Sequence, residues 1–373
     1  MKKKLLALVC ALVMIFSLAS CGLSTPDTVG KVGDFEVSSG LYLLAQFSAY
    51  QQAAQLAGKD QDTTDVKAFL KETITTDADS GETAVVQDYV ADKTLETLRT
   101  FAAIDARFAE LGGELTAEQT QGADNSAQQL MAQYGSTYTA NGIGLETLKA
   151  FERIQLKHTL LLTLVYGPDG ESPVDDSDLT EHLDSQMYEL AYVNIPLYNT
   201  STFVFASDDQ KAQMLQLAQA AASCSETQDG SVSEQVSALH SAASAALPDI
   251  YAVLDSTPAE DASSVQTELL TESDLTGAFT QDGAANAVRG LVYGEAAAVQ
   301  YNAASIILMM RIDPLQVSTL DALRTQILSD MKGDELEDAL TAYGSTLENN
   351  LSTSAMNKMP ASKIVNPSSS SNS

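Results

Sequence analysis

The sequence predicts an α+β chain, mainly α-helical, in which a discontinuous helical domain carries an α+β domain inserted within it. Three observations predict this. Apolar residues recur at helical spacing between about residues 39 and 165, and again between about 319 and 351. Between those stretches lie two β-prone apolar runs, Leu190 to Leu197 and Ser305 to Ile312, separated by Ala-rich and Ser-rich helical segments. The order helical, mixed, helical implies that the two outer segments pack together.

Each element follows from local chemistry. Val29–Val32 and Phe35–Val37 flank Gly33-Asp34, which reads as a tight hairpin. Ser38-Ser39 then caps a helix whose apolar positions are Leu43, Leu44, Phe47, Tyr50 and Ala54. Residues 58–82 are polar and rich in Thr and Asp, and read as an irregular connection. A long helix follows from about Val85 to Leu111, stopped by Gly112-Gly113. Thr116 and Gln119 form a capping-box pair that restarts helix. Leu145 to Val165 is helical, and the segment Pro173–Asp178 caps a short helix through about Met187. Residues 207–245 and 284–293 read as helices within the inserted domain. Pro367–Ser373 is a low-complexity Ser/Asn tail, read as disordered.

The first residues read as an export signal. Met1-Lys2-Lys3-Lys4 precedes an apolar run from Leu5 to Phe16, too short for a membrane span, and Leu18-Ala19-Ser20-Cys21 follows. That tetrad resembles the bacterial lipobox. It implies cleavage before Cys21, acylation (palmitate) of Cys21 and a chain tethered to a membrane by lipid. The whole chain has 20 basic and 50 acidic residues; removing three signal lysines leaves 17 and 50, or −33. Such a balance argues against binding nucleic acid or adhering electrostatically to anionic lipid. Of the three cysteines only Cys224 remains after Cys10 leaves and Cys21 is lipidated, so no intramolecular disulfide can form.

Four segments carry a family resemblance: Val29–Ser38; Ala106–Thr116, a helix end, a glycine pair and a Thr cap; Leu145–Val165 followed by Pro173–Leu179; and the closing helix ending near Lys363-Ile364. Together they resemble the SurA N-terminal and PrsA-type extracytoplasmic folding factors. The resemblance implies a SurA-like helical chaperone domain, residues 29–188 and a returning C-terminal helix, residues 315–366. Between them would lie a parvulin-like domain, residues 189–314. The signal occupies 1–20, a spacer 21–28 and the tail 367–373. Parvulin-like domains carry two histidines on their first and last strands. Here Asn194 and Ser305 stand at those positions, so the resemblance implies a degenerate domain. Asn and Ser form hydrogen bonds but do not titrate near neutrality.

The remaining residues offer little catalytic chemistry. His158, His182 and His240 are scattered, and Cys224 has no neighbouring His. Glu181, His182 and Asp184 share one acidic helix and read as a solvated face; no metal or cofactor is expected. Phosphate loops and Gly-x-Ser-x-Gly are absent from the sequence. The implied function is a lipid-anchored, extracytoplasmic holdase or foldase for unfolded or nascent secreted polypeptides, at a Gram-positive cell surface, without isomerase activity. The alternatives are a divergent peptidyl-prolyl isomerase or a surface interaction module. Leu43, Phe47, Tyr50, Phe101, Phe108 and Phe151 are the candidate client-binding residues, a few of which are expected to line an apolar hollow; for any one of them core is the commoner reading.

Overall fold

The structure is a computed structural model and describes residues 26–59, 64–78, 80–226 and 230–366. The described chain is α+β and divides into two units: residues 26–165 with 334–366, and residues 166–333. The outer stretches therefore form one discontinuous unit around an inserted one. The division falls at 165/166 and 333/334, whereas the sequence reading placed the insertion at 189–314.

In the first unit, β1 (Thr28–Val32) and β2 (Phe35–Ser38) form the expected hairpin, with Val32 opposite Phe35 and Gly33 at φ 56°. Ser38 Oγ accepts from Leu41 N–H at 3.1 Å and starts α1 (Ser39–Leu56). The stretch read as irregular instead holds α2 (Val66–Phe69) and a hairpin of β3 (Thr73–Asp77) and β4 (Glu82–Val85). Phe69, Leu70 and Ile74 supply the burial that organises it, packing with Tyr50, Ala53 and Val86. The helices α3 (Val86–Glu110), α4 (Ala117–Ala140) and α5 (Leu145–Tyr166) follow. The Thr116–Gln119 capping box forms at the start of α4, with bonds of 2.9 and 3.1 Å.

The C-terminal stretch closes this unit in a way the sequence did not suggest. Helix α12 (Leu320–Thr346) does not continue to Leu351, nor to Lys363-Ile364 as the resemblance implied; β9 (Asn349–Leu351), a short helix Thr353–Met356 and a single turn Ala361–Lys363 follow it instead. Strand β9 pairs with β1, giving a sheet ordered β2-β1-β9 that joins the two ends of the described chain. Gly30 permits this: its φ is 124°, and a Cβ there would overlap the Asn350 carbonyl oxygen. Residues of α12 beyond 333 lie on α3 and α5. Gly344 sits against the Arg99 backbone, Tyr343 O–H donates to Glu110 at 2.6 Å, and Glu337 faces His158 at 3.3 Å. It is the segment after β9 that reaches α1: Gln46 Nε2 donates to the Met359 carbonyl at 3.2 Å. The Asn141 side chain both donates to and accepts from the Val365 backbone, at 2.8 and 2.9 Å.

In the second unit, α6 (Asp176–Gln186) leads into β5 (Met187–Pro196). Then come α7 (Asp208–Ser225), α8 (Val232–Ala252), β6 (Gln266–Thr271), α9 (Glu272–Ala278), α10 (Ala284–Arg289), β7 (Ala296–Asn302), β8 (Ser305–Arg311) and α11 (Pro314–Val317). The antiparallel sheet runs β6-β5-β8-β7. Alternation sorts its side chains. Val193, Ile195, Ile306 and Leu308 face α7 and α8, packing with Met214, Leu239 and Ile250. Leu190, Ile307 and Met309 face the other side, packing with Leu275, Phe279 and Val288. Strand β8 is an unbroken apolar run because both of its faces are covered.

Candidate functional site

The face of this sheet opposite α7 and α8 is only partly covered. Where α9 and Phe279 lean on it, a cavity of about 490 Å³ opens, floored by Leu190, Leu270 and Ile307 and walled by the rings of Tyr192, Phe279 and Tyr301. Phe279 and Tyr301 pack with ring centres 5.4 Å apart. Antiparallel pairing brings the floor together: Leu190 lies opposite Glu268 on β6 and opposite Arg311 on β8. Glu268 stands at the rim, and its Oε2 accepts from Tyr192 O–H at 3.2 Å. Burial, and then the Glu268 charge, raise the Tyr192 phenol above its ordinary pKa, so it stays a neutral donor. Gly277 of α9 lines the same cavity, and a Cβ there meets no atom within 4 Å.

The two positions singled out in the sequence lie beside this cavity. Asn194 pairs with Ile307 and Ser305 with Pro196. Alternation therefore puts both side chains on the cavity's face of adjacent strands, on a diagonal of about 7–8 Å. Ser305 is buried and Asn194 exposed. Neither lines the cavity, but the Tyr301 hydroxyl lies 3.5 Å from Asn194 Oδ1. The cavity's own lining contains no histidine and no cysteine among the described residues.

The first unit offers a different concavity, a cleft of about 620 Å³ between α1, α3, α5 and α12. An apolar hollow was expected here, and this cleft is polar. Gln51, Gln52, Gln55, Thr97, Thr100 and Gln155 line it, with Phe101 and Ile104 below. The aromatic residues proposed to bind clients have turned inward instead. Phe47, Tyr50, Phe101 and Phe108 are buried, while Leu43 and Phe151 are half-buried and pack against the cluster of Leu44, Phe47, Ile143 and Leu148. Tyr50 meets Phe69 edge-on at 5.7 Å and Phe101 meets Phe151 at 5.9 Å. Their helical period, which suggested a groove, is the period of a core stripe.

The most exposed apolar residues were not anticipated. Phe203, Val204 and Phe205, in the loop after β5, are 73%, 64% and 60% exposed. Asn199 scaffolds this loop. Its Oδ1 accepts from the backbone of Ser201 and Thr202 at 2.9 and 3.0 Å, and its Nδ2 donates to the Leu254 carbonyl at 2.9 Å. Phe203 is held at φ 57°, unusual for a residue with a bulky side chain. Three consecutive apolar residues between Thr202 and Ala206 were the available signal.

His182 Nε2 lies 2.6 Å from Asp330, and Asp184 accepts from Tyr293 O–H at 2.8 Å. Among the described residues no cluster of three or more His, Cys, Asp or Glu is placed to hold a metal ion. No described helix is long and apolar enough to cross a membrane. Cys21, the preceding signal and the Ser/Asn tail lie outside the described residues.

No family model matches this sequence, and no curated protein matches it. The chain is similar to two solved PrsA foldases. One is from Streptococcus pneumoniae, at 12% identity, covering 78% of this chain and 94% of that one with a TM-score of 0.33. The other is from Bacillus subtilis, at 13% identity, covering 78% and 93% with a TM-score of 0.27.

Proposed function

We propose that this chain binds unfolded or nascent secreted polypeptides on the outer side of a membrane, tethered by lipid on Cys21, and that binding is the whole of its action. One observation carries the reading: the apolar, aromatic-walled cavity on the open sheet face of residues 166–333. Its volume falls within the roughly 300–1,000 Å³ of small-ligand pockets, enough for one or two side chains of an extended chain. Burying one large apolar side chain contributes about 1.5–3 kcal/mol. Even with a few backbone hydrogen bonds, such a site binds weakly, at about millimolar to high-micromolar Kd, and releases quickly. That suits a holdase, which must not trap its client. Asn194 and Ser305, beside the cavity, offer hydrogen bonds but not the imidazole pair that the family resemblance would place there.

A divergent prolyl isomerase is the second reading. The Tyr192 and Tyr301 hydroxyls and the Asn194 amide favour it, since they could hydrogen-bond a twisting amide. One sample separates the two. The chain lacking its first 21 residues should suppress aggregation of chemically unfolded proteins and leave the rate of proline isomerisation in a test peptide at background. Failure to suppress aggregation across several unfolded clients defeats the first reading; turnover well above background installs the second.

A further inference from the structure

Every basic residue of the 166–333 unit is already engaged. Lys211 pairs with Asp208 at 3.2 Å, Arg289 with Glu272, and Arg324 with Asp176 and Asp321, each at 2.8 Å. Arg311 donates to the carbonyls of Leu291 and Asp184 at 2.9 and 2.7 Å, and lies over the rings of Tyr188 and Tyr293. Lys332 sits 5.6 Å from the centre of the Tyr166 ring. These 5 basic residues stand among 25 acidic ones, so the unit carries a formal charge of −20.

The cavity inherits this imbalance. Glu268 at its rim is exposed, and the partner it has is the neutral Tyr192 hydroxyl. Asp274 adds a second negative charge, its Oδ2 already accepting from Thr271 at 3.0 and 2.8 Å in the cap of α9. A ligand entering between apolar walls thus meets carboxylates that the protein itself leaves without a counter-charge.

Resting on the polypeptide-binding reading above, we propose that this cavity selects segments in which a large apolar side chain stands beside Lys or Arg. The apolar side chain fills the space between Leu270, Ile307 and Phe279. The cation reaches Glu268, with Tyr192 and Tyr301 offering ring faces beside it. Segments with Asp or Glu at that place are repelled by the same field.

The test uses the chain lacking its first 21 residues and three fluorescent peptides, identical except that a central Leu is flanked by Lys, Gln or Glu. Fluorescence anisotropy reads the affinities at low and high salt. The order expected is Lys, then Gln, then Glu. Glu268→Gln should weaken the Lys peptide roughly two- to fivefold, the range of an exposed ion pair, and leave the Gln peptide unchanged. Gly277→Leu, which puts a side chain into open space at the cavity wall, should weaken all three. Two results overturn the selectivity and leave the cavity standing: equal affinity for the Lys and Glu peptides while Gly277→Leu weakens both, or a Lys preference that Glu268→Gln does not touch. If Gly277→Leu changes no affinity while its circular dichroism matches the parent chain, the underlying reading fails as well.

Discussion

Replacing Glu189 by Gln should make the chain more stable, and by an amount that grows with pH. Glu189 sits on β5 opposite Leu269 and is 6% exposed. Burial, then the nearby Glu268 charge, raise its carboxyl to about 7 from an ordinary 4.5. The folded state therefore holds a proton that the unfolded chain has given up between those two values. Holding more protons when folded means stability falls as pH rises through that window. The full shift of about 2.5 units corresponds to about 3.4 kcal/mol at 1.36 kcal/mol per unit. Between pH 5 and pH 8 the loss is about 2–3 kcal/mol. Gln keeps the shape and carries no charge, so the difference between variant and parent isolates this one group. Urea titrations at pH 5 and pH 8, followed by circular dichroism, give the two differences. A stabilisation that is the same at both pH values, within about 0.5 kcal/mol, refutes the reasoning.

Three further outcomes follow from single contacts. Gly30→Ala should destabilise the chain by about 2 kcal/mol or more, because the new Cβ meets the Asn350 carbonyl and φ is 124°; an unchanged urea midpoint would contradict the β1–β9 closure. Arg153→Met should cost about 0.5–1 kcal/mol at low salt and less at 1 M, since its bidentate bonds of 2.9 Å to Asp124 tie α5 to α4 while remaining partly solvated. Phe203→Asn should leave the thermal midpoint unchanged or raise it by a few degrees, as Asn tolerates the left-handed backbone far better than Phe. A fall of several degrees would mean that the Phe203 ring, stacked at 6.2 Å on Tyr198, holds the loop together.

Helices were legible because their signals are local. The cap at Thr116, the glycine stop at Gly112 and the stripe from Leu148 to Leu162 each lie within one or two turns of what they specify. Strands were less legible because their partners are remote. Strand β9 is Asn-Asn-Leu, with little β-propensity of its own, and exists because Gly30 admits a neighbour some 320 residues away in sequence. Strand β7 begins Ala-Ala-Ala, and β6 is mostly polar; both are set by pairing with β8 and β5. The cavity has the same origin. Tyr192, Phe279 and Tyr301 come from three separate segments, and only the strand order β6-β5-β8-β7 brings them together. Phe47, Tyr50, Phe101 and Phe108, conspicuous in the sequence, were conspicuous because they are core. Asn194 and Ser305 were picked out by resemblance, and the register sets them on one sheet face beside the cavity.

The most direct test of polypeptide binding at the sheet face is hydrogen–deuterium exchange of the chain with and without a saturating unfolded client. Binding there predicts added protection in α9 and in the strands around Tyr192, Leu270 and Ile307, and little change in the stripe of α5. Protection confined to residues 26–165, with the sheet face exchanging as in the free chain, would contradict it.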